Sequence, residues 1–471
     1  MFAAGERPDS LSTYLEQAAR NNPQVQSDFM LYKAALERVP QAGALPDPEL
    51  KIGFFLKPME TLMGEQVADF TLMQMFPWFG TQKAARSEAQ EMARMAYEKF
   101  RDSRNNLWYE VKAQWYRLSN LNEQYKNTQA NILLLQQLEQ LALRKFSSSS
   151  VQGGSGKSGM EMQKGISINQ PQAAAGMPGM SGMGNSMVQA GILTTKVSTS
   201  ASEMGGNAMG NAVSGGMSDV LRIQMERAEL EDNLKNLLSE RQVAEAQFNT
   251  LLNRPIELPV IVPDSLKQKL FDMDYTNALN RILTDNPMVT MLEAEADAYR
   301  AKAKMDKRMS MPMIGIGIQY SPMRKMETSM GMSGMNGKDM WMPMLKVTLP
   351  IFRKKYNAQQ RESRLYWKAS ELKRENVQNQ LRTEYINLYS QLEEAGRKVD
   401  LYSKQFTLSQ TVWQLVVQEF AAGRQSLTDV IAVERQLLDY KLKKSEAIAV
   451  YNTGVAAMEK LISNSLNGEE R

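Results

Sequence analysis

The chain has 471 residues, a formal net charge of +4 and a mean hydropathy of −0.43, and it contains neither cysteine nor histidine. The missing side chains exclude disulfides, thiol nucleophiles, iron–sulfur clusters, Cys/His zinc sites and general-base catalysis by histidine. So small a positive excess does not indicate a nucleic-acid partner, and no stretch approaches the roughly 18 uninterrupted apolar residues of a membrane-spanning helix.

The amino terminus lacks a recognisable secretory signal. Its first seven residues, Met-Phe-Ala-Ala-Gly-Glu-Arg, contain neither a basic segment nor an apolar one. We therefore expect either a cytoplasmic protein or a mature form from which a signal peptide has been removed. The patterns described below favour the second interpretation.

Two motifs recur in the same order in the two halves of the chain. Phe-Pro-Trp-Phe at 76–79 returns as Leu-Pro-Ile-Phe at 349–352, and Ser-Asp-Val at 218–220 returns as Thr-Asp-Val at 428–430. The two spacings are 273 and 210 residues, so the first half holds 63 more residues between its motifs. The chain is therefore predicted to be a duplication with an insertion in its first half.

Residues 147–216 contain the insertion. They are rich in Ser, Gly, Met, Asn and Gln and include no aromatic residue. Such a segment buries too little apolar surface to offset the entropy lost on ordering. We predict a flexible insert.

Each half is predicted to run through a short helix, a pair of strands, a very long helix, a turn and a returning helix. Short helices are predicted over 11–38 and 288–307. Long helices are predicted over 81–146, which contains no glycine, and over 354–422, which contains one. Both carry apolar residues three and four positions apart. At 1.5 Å per residue each spans roughly 100 Å, which is typical of a coiled-coil hairpin.

Four segments of about ten residues alternate between apolar and other side chains, a length typical of transmembrane strands. They lie near 50–57, 68–74, 314–319 and 340–349. Four strands are too few to close a barrel, so several copies of the chain would have to contribute.

The predicted organisation of the chain follows from these elements, except that the equatorial position of two segments is implied by the family resemblance given next. It consists of N-terminal equatorial helices (1–45), a first strand pair (46–79), a first helical hairpin (80–146 and 217–253), the insert (147–216), an equatorial linker with the helices of the second repeat (254–307), a second strand pair with a Met-rich loop (308–352), a second helical hairpin (353–462) and a C-terminal tail (463–471).

This arrangement resembles the TolC family of outer-membrane efflux channels, and more particularly its heavy-metal branch. The resemblance is carried by Leu-Pro-Asp-Pro at 45–48, by the two motifs at 76–80 and 349–352, and by the turn Phe-Ala-Ala-Gly-Arg-Gln-Ser-Leu-Thr-Asp-Val at 420–430. It implies a mainly α fold with β structure, in which a homotrimer forms a 12-stranded β-barrel and a periplasmic α-helical tunnel.

The resemblance also implies a function and a set of partners. The protein would be a passive conduit in the outer membrane of a Gram-negative cell, extending into the periplasm, with no enzymatic activity and no cofactor. Its partners would be outer-membrane lipid, a periplasmic adaptor (membrane fusion) protein and an inner-membrane resistance-nodulation-division pump. The insert would lie at the periplasmic tip, because it interrupts the first hairpin turn.

Methionine is the unusual residue of the composition. Of 34 methionines, nine lie between Met160 and Met217 and twelve between Met305 and Met344. Neutral, soft thioethers favour Cu(I) or Ag(I) over Zn, Co or Ni. The candidate ligands for transient binding of these ions are Met160, Met162, Met177, Met180, Met183, Met187, Met204, Met209, Met326, Met330, Met332 and Met335.

These methionines have other interpretations. The insert could capture soft metal ions, contact the adaptor with incidental Met, or be the product of drift. Met340, Met342 and Met344 share one strand face and could line a lumen or simply pack. Helical methionines such as Met225 are predicted to be packing residues.

The hairpin tips supply the last candidate site, made of Asp219, Gly423, Arg424, Ser426 and Asp429. The aspartates could ring a cation-selective entrance, or they could be N-caps of the returning helices. Arg424 could contact the adaptor or the gate, or it could be a solvated surface residue. Two tryptophans near strand ends, Trp78 and Trp341, could be interfacial anchors or could pack against loops. The competing cargoes are drugs and divalent metals, and the competing class of protein is a soluble periplasmic adaptor or metal chaperone.

Overall fold

A computed structural model describes residues 11–61, 64–151, 217–271, 273–326 and 337–463. Within these ranges the chain forms eight helices and five strands. The helices are α1 (Leu11–Asn21), α2 (Pro23–Ala42), α3 (Thr81–Val151), α4 (Met217–Leu251), α5 (Tyr275–Asp285), α6 (Pro287–Met309), α7 (Arg353–Ala421) and α8 (Leu427–Ile462). The strands are β1 (Glu49–Thr61), β2 (Gly64–Phe76), β3 (Met313–Ser321), β4 (Met323–Arg324) and β5 (Met340–Thr348).

The single helix predicted over 11–38 is wrong, because α1 and α2 are separate helices. Asn22 lies between them in an extended conformation, and its side-chain Oδ1 accepts hydrogen bonds from the backbone N–H groups of Gln24 and Val25. Pro23 follows at the first helical position, where its missing N–H costs nothing. An N-cap and a proline together end one helix and start the next.

The second half repeats this device and confirms the duplication. Asn286 caps α6 through the Met288 N–H at 3.0 Å, and Pro287 follows it. Each asparagine also donates from Nδ2 to the last turn of a returning helix, Asn22 to the Leu251 carbonyl at 3.1 Å and Asn286 to the Leu461 carbonyl at 3.0 Å. The short helices are thereby attached to the ends of the long hairpins.

The long helices α3 and α7 contain 71 and 69 residues, which corresponds to roughly 100 Å each. Helix α3 packs against α2, α4, α6 and α8, and α7 packs against α6 and α8. Each half has its own apolar core where the short helices meet the long ones. Tyr14, Val111 and Phe248 belong to the first core, and Ile282 and Tyr385 to the second.

Within the described ranges, no helix contains an apolar stretch long enough to cross a bilayer.

The strands form one antiparallel sheet in the order β1-β2-β3-β5, with the short β4 paired to β2. The sequence pattern predicted four strands, and β4 is an addition to them. Two consecutive residues carry no period-two pattern, so the alternation could not reveal it.

The connection from β2 to α3 is Phe-Pro-Trp-Phe-Gly at 76–80, and it ends in a glycine for a structural reason. Gly80 has φ +78°, a conformation that favours glycine. Arg308, at the end of α6, donates from Nη1 to the Phe79 carbonyl at 2.7 Å. A Cβ on Gly80 would lie 1.6 Å from that nitrogen. The glycine therefore allows the close contact between the start of α3 and the end of α6.

Candidate functional site

One face of the sheet is predominantly apolar and is interrupted by Gln74, which pairs with Ile316. Register pairs Leu72 with Ile318 and Ile316 with Leu345, so side chains from neighbouring strands extend the same surface. The other members of this face are Leu50, Ile52, Phe54, Phe70, Phe76, Ile314, Tyr320, Trp341, Pro343 and Val347.

This apolar face is exposed rather than buried. Leu345 is 72% exposed, Phe54 74% and Ile316 59%. A soluble monomer seldom leaves so many large apolar side chains adjacent to one another and open to water. The face is therefore suited to an apolar environment that the single chain does not provide.

The opposite face of the same sheet is polar and rich in methionine. It carries Lys51, Thr71 and Gln319 in one transverse row that ends at Met342. Gln319 donates from Nε2 to the Asp69 carboxylate on this face. The alternation along β5 places Met340, Met342 and Met344 here, where the sequence pattern put them on one strand face.

Two tryptophans lie at the borders of the sheet. Trp341 is on the apolar face, 63% exposed, with its ring centroid 4.6 Å from that of Tyr320. Trp78 follows β2 and its ring contacts that of Phe79 edge-on, with 6.0 Å between the centroids. Both keep exposed ring surface, and their role as interfacial anchors stays a prediction.

The second hairpin turn is formed by the residues between α7 and α8. Gly423 has φ +76°, and its N–H donates to the Phe420 carbonyl at 3.0 Å. Ser426 is the N-cap of α8: its Oγ accepts the Asp429 N–H at 3.2 Å and donates to the Asp429 carboxylate at 2.5 Å. Of the two interpretations left open for Asp429, the N-cap is wrong, because the Ser426 hydroxyl occupies that position.

The remaining tip residues are Arg424 and Asp219. The Arg424 side chain is exposed, and its backbone N–H donates to the Glu419 carbonyl at 2.9 Å. Asp219 lies in the first turn of α4, but its side chain is outside the described part of the chain. An entrance ring formed by Asp219 and Asp429 stays a prediction.

Charged side chains tie α4 to its neighbours just behind the tip. Arg227 contacts Glu139 of α3 at 2.6 Å. On the other side of α4, Arg435 of α8 binds both carboxylate oxygens of Glu226, with Arg435 Nε at 3.0 Å from Oε1. The two hairpins are thus linked by ion pairs that pass through α4.

Glu434 is a buried acidic residue of this region, with 4% of its surface exposed. Burial, reinforced by the Glu226 carboxylate, raises the pKa of Glu434 to about 8, although Arg435 acts in the opposite direction. The sequence reasoning missed this group. Its signal is its position in the apolar series of α8, four residues after Val430.

Most predicted metal ligands cannot be located. Met326 is half-buried at the end of the described range 273–326. Among the residues that the structure describes, no group of three or more acidic side chains is arranged so that it could hold a metal ion. The remaining candidates lie outside the described residues: Met160, Met162, Met177, Met180, Met183, Met187, Met204, Met209, Met330, Met332 and Met335. Met225, predicted to be a packing residue, is 73% exposed instead.

Comparison with known proteins shows a local match to one family model and the fold of the whole chain. Residues 278–464 match the sequence model of the family described as "Outer membrane efflux protein". No curated protein sequence matches the chain.

Several solved channels have the same fold. The outer-membrane channel OprN superposes with a TM-score of 0.65 at 14% identity, covering 97% of this chain and 90% of that one. The outer membrane protein VceC of Vibrio cholerae gives 0.64 at 11% identity, covering 96% of each chain. CusC, described in terms of folding and transmembrane channel formation, gives 0.65 at 14% identity, covering 98% of this chain and 95% of that one. These similarities confirm the predicted fold class: the second half of the chain carries the outer membrane efflux protein signature, and the chain as a whole has the fold of the TolC-like outer-membrane channels.

Proposed function

We propose that the protein is the outer-membrane channel of a tripartite efflux system and acts as a passive conduit without enzymatic activity. The observation that carries this proposal is the contrast between the two faces of the sheet. One face is apolar and exposed, as lipid contact requires, and the other is polar, as a water-filled lumen requires. The helices α3 and α7 extend from this sheet and have the length to cross a periplasm.

The sheet also supports a trimer. Strands β1 and β5 are its two ends, and in the described part of the chain each pairs on one side only. Open edges in an apolar environment leave backbone groups unsatisfied, so closure with other copies of the chain is required. Three copies would give a 12-stranded barrel, with a periplasmic adaptor and an inner-membrane pump completing the system at the helical tips.

For the cargo we propose Cu(I) and Ag(I). The support is chemical: thioethers are the abundant soft ligands of this chain, and 21 of its 34 methionines fall in two segments. Similarity to CusC gives only the fold at 14% identity. Drugs and divalent metals are the competing cargoes of the same channel.

The cargo is tested by metal tolerance. A host lacking the gene, with and without the gene restored, is challenged with Cu, Ag, Zn, Co and several drugs. We expect restored tolerance to copper and silver alone. Restored tolerance only to drugs or divalent metals would overturn the cargo while retaining the channel, and a soluble monomer absent from the outer-membrane fraction would overturn the channel itself.

A deletion of residues 153–215 tests the insert separately. It restores the first hairpin turn to nearly the length of the second, so assembly in the outer membrane should be intact. Copper and silver tolerance should fall if the insert methionines bind these ions. Unchanged tolerance at equal expression would reject that role.

A further inference from the structure

The register of the sheet brings methionines from distant parts of the chain into one transverse row. Met73 of β2 pairs with Gly317 of β3, and Gly317 pairs with Met344 of β5. Residues in one row share a face of the sheet. Met73 and Met344 therefore lie on the polar face, on either side of a glycine.

Gly317 places no side chain of its own between the two thioethers. A Cβ built on Gly317 would lie 3.3 Å from Met73 Cε, so the end of the Met73 side chain already reaches over the glycine. Directly paired residues have Cβ atoms about 5 Å apart. A Met344 side chain can span that distance, so the two sulfur atoms can approach a single ion above Gly317.

The neighbouring row is similar but less favourable for a cation. Met75 Sδ would lie 2.5 Å from a Cβ built on Gly315, so this thioether also covers a glycine. The residue paired with Gly315 on β5 is Lys346, whose positive charge repels a cation. The Met73 row ends instead at Glu49 of β1, an exposed carboxylate that favours a positive ion.

The two thioethers are not simply core packing. Met73 and Met344 are both partly exposed, and the surrounding side chains on this face, Thr71 and Gln319 among them, are polar. Partly exposed, flexible thioethers on a polar face are accessible to a dissolved ion.

We propose that Met73 and Met344 form a binding site for a soft monovalent cation, Cu(I) or Ag(I), across Gly317 on the polar face of the sheet. Two neutral sulfur ligands suit such ions and discriminate against Zn, Mg and Ca. The role of the site along the export path rests on the proposed function, but the binding itself depends only on the sheet. In a trimer three such sites would ring the lumen.

The first test measures silver bound by the purified full chain. The protein is dialysed against silver nitrate in chloride-free buffer, and bound Ag(I) is counted for the wild type, for Met73→Leu combined with Met344→Leu, and for the matched control Met225→Leu. The paired variant should lose about one Ag(I) per chain relative to the control, because leucine retains the apolar volume and removes the sulfur. Equal binding in the two variants would overturn the proposal.

The second test shows whether the two methionines act together. An oxaziridine reagent labels thioethers that are not coordinated, and peptide mass spectrometry reads each position. In the wild type Ag(I) should suppress labelling of Met344, and the Met73→Leu variant should lose that suppression. Suppression that persists in Met73→Leu would mean that Met344 binds without its partner, which contradicts the site. Neither test depends on transport, so the site can fail while the channel stands, or stand while the cargo proposal fails.

Discussion

The sheet and the helical tip are opposites in what they expose. At the sheet, large apolar side chains face outward, and Leu345 is 72% exposed. Behind the tip, acidic side chains are enclosed, and Glu434 is 4% exposed. Most folded domains do the reverse at both places. The sheet therefore depends on the medium that covers it, whereas the tip depends on charge pairs within the protein.

The largest effect is expected where a charge enters the apolar face. Leu345→Arg should strongly reduce the trimer recovered from outer membranes, because an arginine facing lipid near the bilayer midplane costs about 2–4 kcal/mol. The matched control is Met342→Arg, on the same strand but on the polar face. The measurement is the amount of trimer on native gels of membrane extracts. Equal losses in the two variants would show that the faces do not differ in their surroundings.

The ion pair behind the tip should give the next largest effect. Arg435→Met leaves the buried Glu226 carboxylate without its bidentate partner and beside Glu434, so the free energy of unfolding should fall by about 1–3 kcal/mol. Denaturant unfolding measures it. The control Lys443→Met breaks an exposed pair with Asp439 on the same helix, at a cost of about 0.5 kcal/mol or less. A loss no larger than that of the control would show that the Glu226–Arg435 pair contributes little.

The third comparison concerns the pH dependence of stability at Glu434. The folded state holds this carboxyl protonated up to a pKa of about 8. The stability contributed by the protonated Glu434 is therefore complete at acid pH. It declines as pH rises above the pKa of the unfolded state, about 4.3, and it is lost once pH passes the folded-state pKa. Glu434→Gln should flatten this decline and raise the unfolding temperature above about pH 8.

A second glutamate serves as the control for that measurement. Hydrogen bonding and attraction by Lys398 lower the pKa of Glu394, which is exposed on α7. Glu394→Gln should therefore leave the alkaline decline in place, because the stability that the Glu394 carboxylate contributes is constant at neutral and alkaline pH and is lost only as pH falls through its folded pKa. A Glu434→Gln protein that declines with pH as steeply as the wild type would contradict the account of the buried carboxyl.

The elements that sequence could predict are those with a local signal. The helix from Thr81 has neither proline nor glycine over more than sixty residues, and its pattern identifies it without any tertiary information. Pro23 indicated a break between two helices at Asn22, but the helical periodicity on both sides favoured one continuous helix. The cap at Ser426 was missed because a hydroxyl and a carboxylate three residues apart are both good caps, and only geometry separates them.

The features that sequence could not predict join residues far apart along the chain. Glu226 and Arg435 are 209 positions apart, and nothing local to either indicates the other. Met73 meets Gly317 only through the register of β2 and β3, since a shift by one residue would place the thioether on the other face. The methionines within the insert were predicted from composition alone, and their role remains a prediction.

The central claim is that the apolar face of the sheet contacts lipid and the polar face lines a water-filled lumen. The chain has no cysteine, so single-cysteine variants can be labelled without background. Leu345→Cys and Lys346→Cys place thiols on adjacent residues of β5 that face opposite sides of the sheet. Intact outer membranes are treated with a membrane-impermeant maleimide and then denatured to measure the total thiol. We predict labelling at position 346 and protection at position 345; equal labelling at both positions, or protection at 346 alone, would contradict the channel.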